Sequence, residues 1–142
     1  MPQRDNYIRK ATLLRVVDAD TLVCRIDLGY AATTTEVVRL YGVDTPEARG
    51  PEKAAGDWVT KQVTDWIGDA RGMVVHSHQF RSDSWKRVIA TCWVGGRNLN
   101  AWLLEKGYAW PTDDSGHLVG DRSIESLAIP EGIKQSVREA MS

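Results

Sequence analysis

With 142 residues, 42% of them apolar and 26% charged, the chain is long enough for one hydrophobic core and short for two. No low-complexity run interrupts it, which excludes a disordered or fibrous protein. The net charge of −1 excludes binding to polyanions through overall positive charge; the balance is slightly basic up to residue 110 and acidic beyond it, so any recognition of phosphate has to be local.

The N-terminus, MPQRDNYIRKATLL, lacks the apolar core of a leader, and nowhere do about eighteen apolar residues run together. The expectation is a single domain over 1–142, cytoplasmic, without a membrane partner and monomeric by default. Cys24 and Cys92 sit in apolar, strand-like runs and are read as buried free thiols.

Residues 11–28 are rich in β-branched side chains, with Leu22, Cys24 and Ile26 alternating against Val23, Arg25 and Asp27. The step Asp18-Ala19-Asp20 interrupts this run as a turn, so two strands are predicted there. Gly29 to Thr34 read as a loop and Thr35 to Val43 as a third strand. Pro46 lacks an N–H and forces Thr45 out of helical conformation, which ends that strand and presents Asp44 and Glu47 at its tip.

From Pro51 the period changes. Ala55, Val59, Val63, Trp66 and Ile67 recur at helical spacing, and Gly68 supplies a stop, which predicts an amphipathic helix of about 17 residues. Met73 to Phe80 and Arg87 to Val94 read as two more strands, the second ended by Gly95-Gly96. Asn98 to Lys106 read as a short helix with Leu99, Trp102 and Leu103 inward and Gly107 as its stop. The polar loop PTDDSGHLVGDRS follows, then a terminal helix from Pro130 with Ile133, Val137 and Met141 at four-residue spacing. Most of the six tryptophans fall in apolar or helical runs and are expected in the core.

Asp20, Asp44 and Glu47 lie at turn and strand ends, beside free backbone carbonyls such as that of Thr45. Hard oxygen donors of this kind suit calcium or magnesium, although an acid at a turn ordinarily just caps or is solvated. Arg39 and Arg87 interrupt strands whose other residues look buried. A guanidinium fork matches a phosphate and stabilises charge developing in phosphoryl transfer; the plainer alternative is a structural ion pair. His76 and His78 share a strand face but lack a third metal ligand nearby, and are read as structural.

Three segments in order, VVDADTLV, VVRLYGVDTPE and DSWKR, with a helix between the last two, resemble the calcium-dependent staphylococcal (micrococcal) nuclease family, the thermonucleases. The resemblance covers about residues 8 to 110, with a finer likeness to phage-encoded members. It implies a mainly β fold with α (α+β), a five-stranded OB-type Greek-key barrel with two to three packed helices. It further implies hydrolysis of DNA or RNA, single strands preferred, leaving 3′-phosphate ends. Carried over residue by residue, Asp20, Asp44 and the Thr45 carbonyl would hold Ca2+, Glu47 would hold the attacking water, and Arg39 and Arg87 would grip the scissile phosphate. Asp18 would lie beside the metal, and Trp85 and Lys86 would contact substrate.

Four departures stand out. Ala19 replaces the usual glycine of D-G-D-T, Trp85 and Lys86 replace the tyrosine and glycine of the D-x-Y-G-R turn, and the tyrosines that line the family's nucleotide pocket have no clear counterpart after Gly107. Trp110 is a candidate stacking residue there, though packing is the commoner fate of such an aromatic. Against the nuclease stand two alternatives: a non-catalytic OB module that binds nucleic acid or protein, and an assembly component of a phage-like system. A binding module has no need of Asp20, Arg39, Asp44, Glu47 and Arg87 together, which favours the enzyme.

Overall fold

The structure, a computed structural model, describes residues 7–81 and 85–142. Along the first part of the chain run β1 (Ile8–Asp18), β2 (Thr21–Gly29), β3 (Ala32–Leu40), a two-residue β4 (Val43–Asp44), β5 (Gly72–Phe80) and β6 (Val88–Val94). The long strands pair in the order β3-β2-β1-β5-β6, and a parallel pairing of β3 with β6, from Val38 opposite Val88 to Leu40 opposite Ala90, closes them into the expected five-stranded OB-type barrel. Side-chain alternation fills it: Leu22, Cys24 and Ile26 point inward while Arg25 and Asp27 are exposed, and Val88, Ala90, Cys92 and Val94 are fully buried. Both cysteines are free and buried, Cys24 Sγ lying 3.5 Å from Met73 Sδ.

The predicted loop at 29–34 is instead a tight hairpin. Tyr30 and Ala31 take φ of 54° and 61°, the left-handed pair whose twist matches flanking strands, so β3 begins at Ala32. Its two residues lack the Asn-Gly signature by which such turns are read. The third strand is also not continuous to Val43. Gly42, at φ 78°, turns the chain after Leu40, and β4 pairs instead with β8 (Trp110–Pro111), a strand that the sequence did not suggest.

A 3-10 turn over Gly50–Glu52 leads into α1 (Lys53–Ile67), which buries Ala55, Gly56, Val59, Val63 and Ile67 and stops at Gly68 as expected. β7 (Arg97–Asn98) returns from the Gly95-Gly96 turn, and the Asn98 side chain then caps α2 (Leu99–Lys106) by accepting from the Ala101 N–H at 3.0 Å. Asn100 is buried and serves three backbone groups. Its carbonyl accepts from Cys92 N–H, and its amide donates to the Tyr41 and Ala90 carbonyls, fixing α2 to the barrel where β3 ends.

The terminal helix α3 (Glu131–Met141) follows Pro130. Val137 is buried and Ile133 partly so, but Met141 is 58% exposed because the helix end runs past the core it packs on. Trp58, Trp66 and Trp102 pack against the core while staying partly accessible. Among the described residues no helix is long and apolar enough to cross a membrane.

Candidate active site

The β1–β2 turn, the end of β3, β4 and the loop before α1 meet at one rim of the barrel. Asp18, Asp20, Arg39, Asp44, Thr45 and Glu47, together with Trp85 and Arg87, border an open cavity of about 460 Å³ there. All six residues expected to bind metal or act in catalysis, and Trp85 of the two substrate contacts, are therefore brought together. Lys86 does not line the cavity. It is exposed at φ 58°, the left-handed region where glycine sits without strain. Residues 82–84, which carry the start of the third motif, lie outside the described residues.

Each position has a local cause. A two-residue turn, with Asp18 opposite Thr21, places Asp20 at the start of β2, where its carbonyl accepts the Leu40 N–H at 2.9 Å. Ala19 has no positive φ, so an alanine there is unstrained, and it is fully buried. The Asp20 carboxylate accepts from the Thr21 hydroxyl and from the Thr45 N–H, both at 3.1 Å, which ties the first motif to the second. The loop carrying Glu47 rests on α1 at Gly56, where a Cβ would stand 2.2 Å from the Glu47 carbonyl oxygen. A helix-interior glycine is unfavourable by about 1 kcal/mol relative to alanine, so a close approach of this sort is what it signals.

Arg39 reaches across the rim. One terminal nitrogen donates to the carbonyls of Leu40 at 3.1 Å and Val43 at 2.8 Å; the other lies 3.3 Å from Asp20 and 3.4 Å from Asp44. Arg39 thus pairs with two acids while also lining the cavity. Burial works to raise the pKa of Asp20, but Arg39 and hydrogen bonds from Asp18 and Thr45 outweigh it and hold that carboxyl low. Asp18 moves the other way. Burial, with the hydrogen bond and negative charge of Asp20, raises it to about 7, so the two acids share a proton near neutrality.

The sequence reading missed Arg122. Its Nε donates to Asp44 at 2.8 Å, one terminal nitrogen donates to the Thr45 carbonyl at 3.2 Å, and the other pairs with Glu52. Glu52 in turn accepts from the Glu47 N–H at 2.9 Å. Beneath Arg122 lies Trp110, whose ring centre is 4.3 Å from the guanidinium carbon and whose indole N–H donates to the Ser123 carbonyl and the Ser126 hydroxyl. Trp110 is thus packed, at 3% exposure, rather than offered for stacking. The available signal for Arg122 was a single cation in the otherwise acidic stretch from Asp113 to Glu125.

Asp20, Asp44 and the Thr45 carbonyl form a set of hard oxygens, which fits a calcium-like dication in kind. Among the described residues no three His, Cys, Asp or Glu side chains converge as a ready metal cluster, so the set consists of two carboxylates and a carbonyl. A smaller hollow of about 230 Å³ lies on the far side of Arg39 and Arg87, bordered by Tyr41, Gln79, Thr112 and Asp114. The His76 and His78 rings lie 4.5 Å apart, tilted, with His78 bonded to Thr91 at 2.9 Å and set against the Tyr41 ring.

A model of the family described as staphylococcal nuclease homologue matches residues 37–124. A thermonuclease from Staphylococcus intermedius is 30% identical over 102 residues, covering 67% of this chain and 55% of that protein. The chain thus spans about half the length of this curated relative.

Proposed function

Because the chain belongs to the staphylococcal nuclease family, we propose that it is a calcium-dependent nuclease that hydrolyses phosphodiester bonds of DNA or RNA. The observation that carries this reading is the convergence of two acids, a carbonyl, two arginines and Glu47 on one open cavity. In it, Asp20, Asp44 and the Thr45 carbonyl would hold the metal. When bound, a dication there neutralises the charge of the phosphodiester and draws electron density from phosphorus. Arg39 and Arg87, on the wall between the two hollows, take the non-bridging oxygens and stabilise the extra negative charge of the transition state.

Glu47 is exposed to the cavity, and its loop is fixed by Gly56 and Glu52, so its carboxylate orients the attacking water and accepts its proton. Water adds to phosphorus in line, the bond to the 5′-oxygen breaks, and the phosphate stays on the 3′-oxygen. Arg87, on the same wall, would assist departure of that oxygen. Trp85, 71% exposed at the cavity mouth, offers a face for an unpaired base, which favours single strands.

The test is cleavage of end-labelled single-stranded DNA and RNA by the purified protein, with calcium or with a chelator. Calcium-dependent products that carry 3′-phosphates are expected, and they identify the preferred polymer. Uncut substrate that still binds the protein would instead leave a nucleic-acid-binding barrel.

A further inference from the structure

Every nitrogen of the Arg122 guanidinium is spent on the rim: on Asp44, on the Thr45 carbonyl and on Glu52. Two of these, Asp44 and the Thr45 carbonyl, are also two of the three oxygens assigned to the metal above. A dication needs those oxygens at about 2.3–2.6 Å. The guanidinium already holds the Asp44 carboxylate at 2.8 Å and the Thr45 carbonyl at 3.2 Å, so a dication drawing on the same groups would sit close beside it and be repelled.

The contact is built rather than incidental. Trp110 forms a floor under the guanidinium, and the segment that carries Arg122 is tied down at both ends. The Thr112 N–H donates to the Gly42 carbonyl at 3.0 Å, and the Ala128 N–H donates to the Gly107 carbonyl at 2.8 Å. Glu52 provides a place for the side chain that the metal does not use. Its other oxygen accepts from Glu47, so the position of Arg122 is felt at the loop of the proposed base.

We propose that Arg122 is a tethered counter-cation that competes with divalent metal for Asp44 and the Thr45 carbonyl, and so sets the metal concentration at which the site fills. The inference rests on the metal reading of the preceding subsection. In metal-free protein Arg122 keeps the rim acids neutralised and the segment docked; on filling, it withdraws from Asp44 and stays on Glu52. The two occupancies are linked, so each weakens the other by the same factor.

Calcium titration by calorimetry of the wild type, Arg122→Gln and Arg122→Lys tests this, with thermal melting of each as the check on folding. Arg122→Gln is expected to bind calcium about ten-fold tighter than wild type, within the usual range of such couplings. Arg122→Lys keeps the charge but lacks the three-way fork, and is expected to fall between them; if the glutamine variant fails to fold, this comparison decides. Calcium should also raise the melting temperature of Arg122→Gln more than that of wild type. Equal or weaker binding by the folded variants overturns the proposal and leaves the metal reading standing. Binding by none of the three proteins overturns both.

Discussion

The barrel rim and the segment from Trp110 to Ile129 meet at one carboxylate, Asp44, and reach it by different means. The rim presents Asp20 from a two-residue turn and Arg39 from β3, whose backbones are fixed by the closed sheet, while Asp44 sits on β4, which pairs with β8 of the segment. The segment has little regular structure: it joins the rim through the short β8 pairing and reaches into the site with one long side chain, Arg122, on a tryptophan floor. The rim gathers acids around its own Arg39, and the segment brings a second cation to Asp44. The difference teaches that a site's donors and its neutral resting state come from separate parts of the chain, and that only the first follows from local sequence grammar.

Substitutions at the rim should act on chemistry. Arg87→Ala is expected to have the largest effect of those that separate the regions, lowering cleavage about 100- to 1,000-fold, the scale for losing one group that stabilises developing charge. It should leave calcium binding nearly unchanged, whereas Arg122→Gln changes calcium binding first. A calorimetric titration beside a cleavage assay reads both.

Gly56→Ala comes next. On an ordinary helix the exchange would stabilise by about 1 kcal/mol. Here the new methyl would meet the Glu47 carbonyl at 2.2 Å, so the loop must move. Cleavage is expected to fall about 100-fold from misplacement alone, and the melting temperature to drop rather than rise.

Asp18→Asn probes the crowding of rim acids. A carboxyl whose folded pKa is raised to about 7 from 3.8 binds its proton more tightly in the folded state, so its contribution is full below 3.8 and is lost as pH rises through 7. Asparagine mimics the protonated form. Without metal, the variant's stability relative to wild type should therefore improve as pH rises across that window, measured by thermal melts at a series of pH values. A constant difference across the window would mean that Asp18 is not crowded.

The smallest effect lies outside both regions. Ala31→Gly relieves a left-handed backbone at φ 61° and, after the entropy glycine loses on folding, should stabilise by about 0.5 kcal/mol without altering cleavage. Chemical denaturation measures it.

The barrel strands were legible because alternation marks them and glycine ends some of them, as at Gly95-Gly96. The hairpin at Tyr30-Ala31 was not, since its left-handed residues carry no glycine or asparagine to betray them. At the site, spacing brought out Asp20, Arg39, Asp44, Glu47 and Arg87 as types, and the motif resemblance joined them. Arg122 stayed hidden because its partners lie 70 to 78 positions away, far beyond any local pattern. Gly56 had a readable cue, a glycine inside a helix, but what approaches it is decided by tertiary packing.

The most direct test of the site as a phosphodiesterase is the cleavage rate of Glu47→Gln on single-stranded DNA and RNA with calcium, beside its melting temperature. Glutamine keeps the shape and removes the charge that takes a proton from water. A loss of about 100- to 10,000-fold, the range for a general base, with melting unchanged, is the predicted result. Undiminished cutting by the folded variant would contradict it.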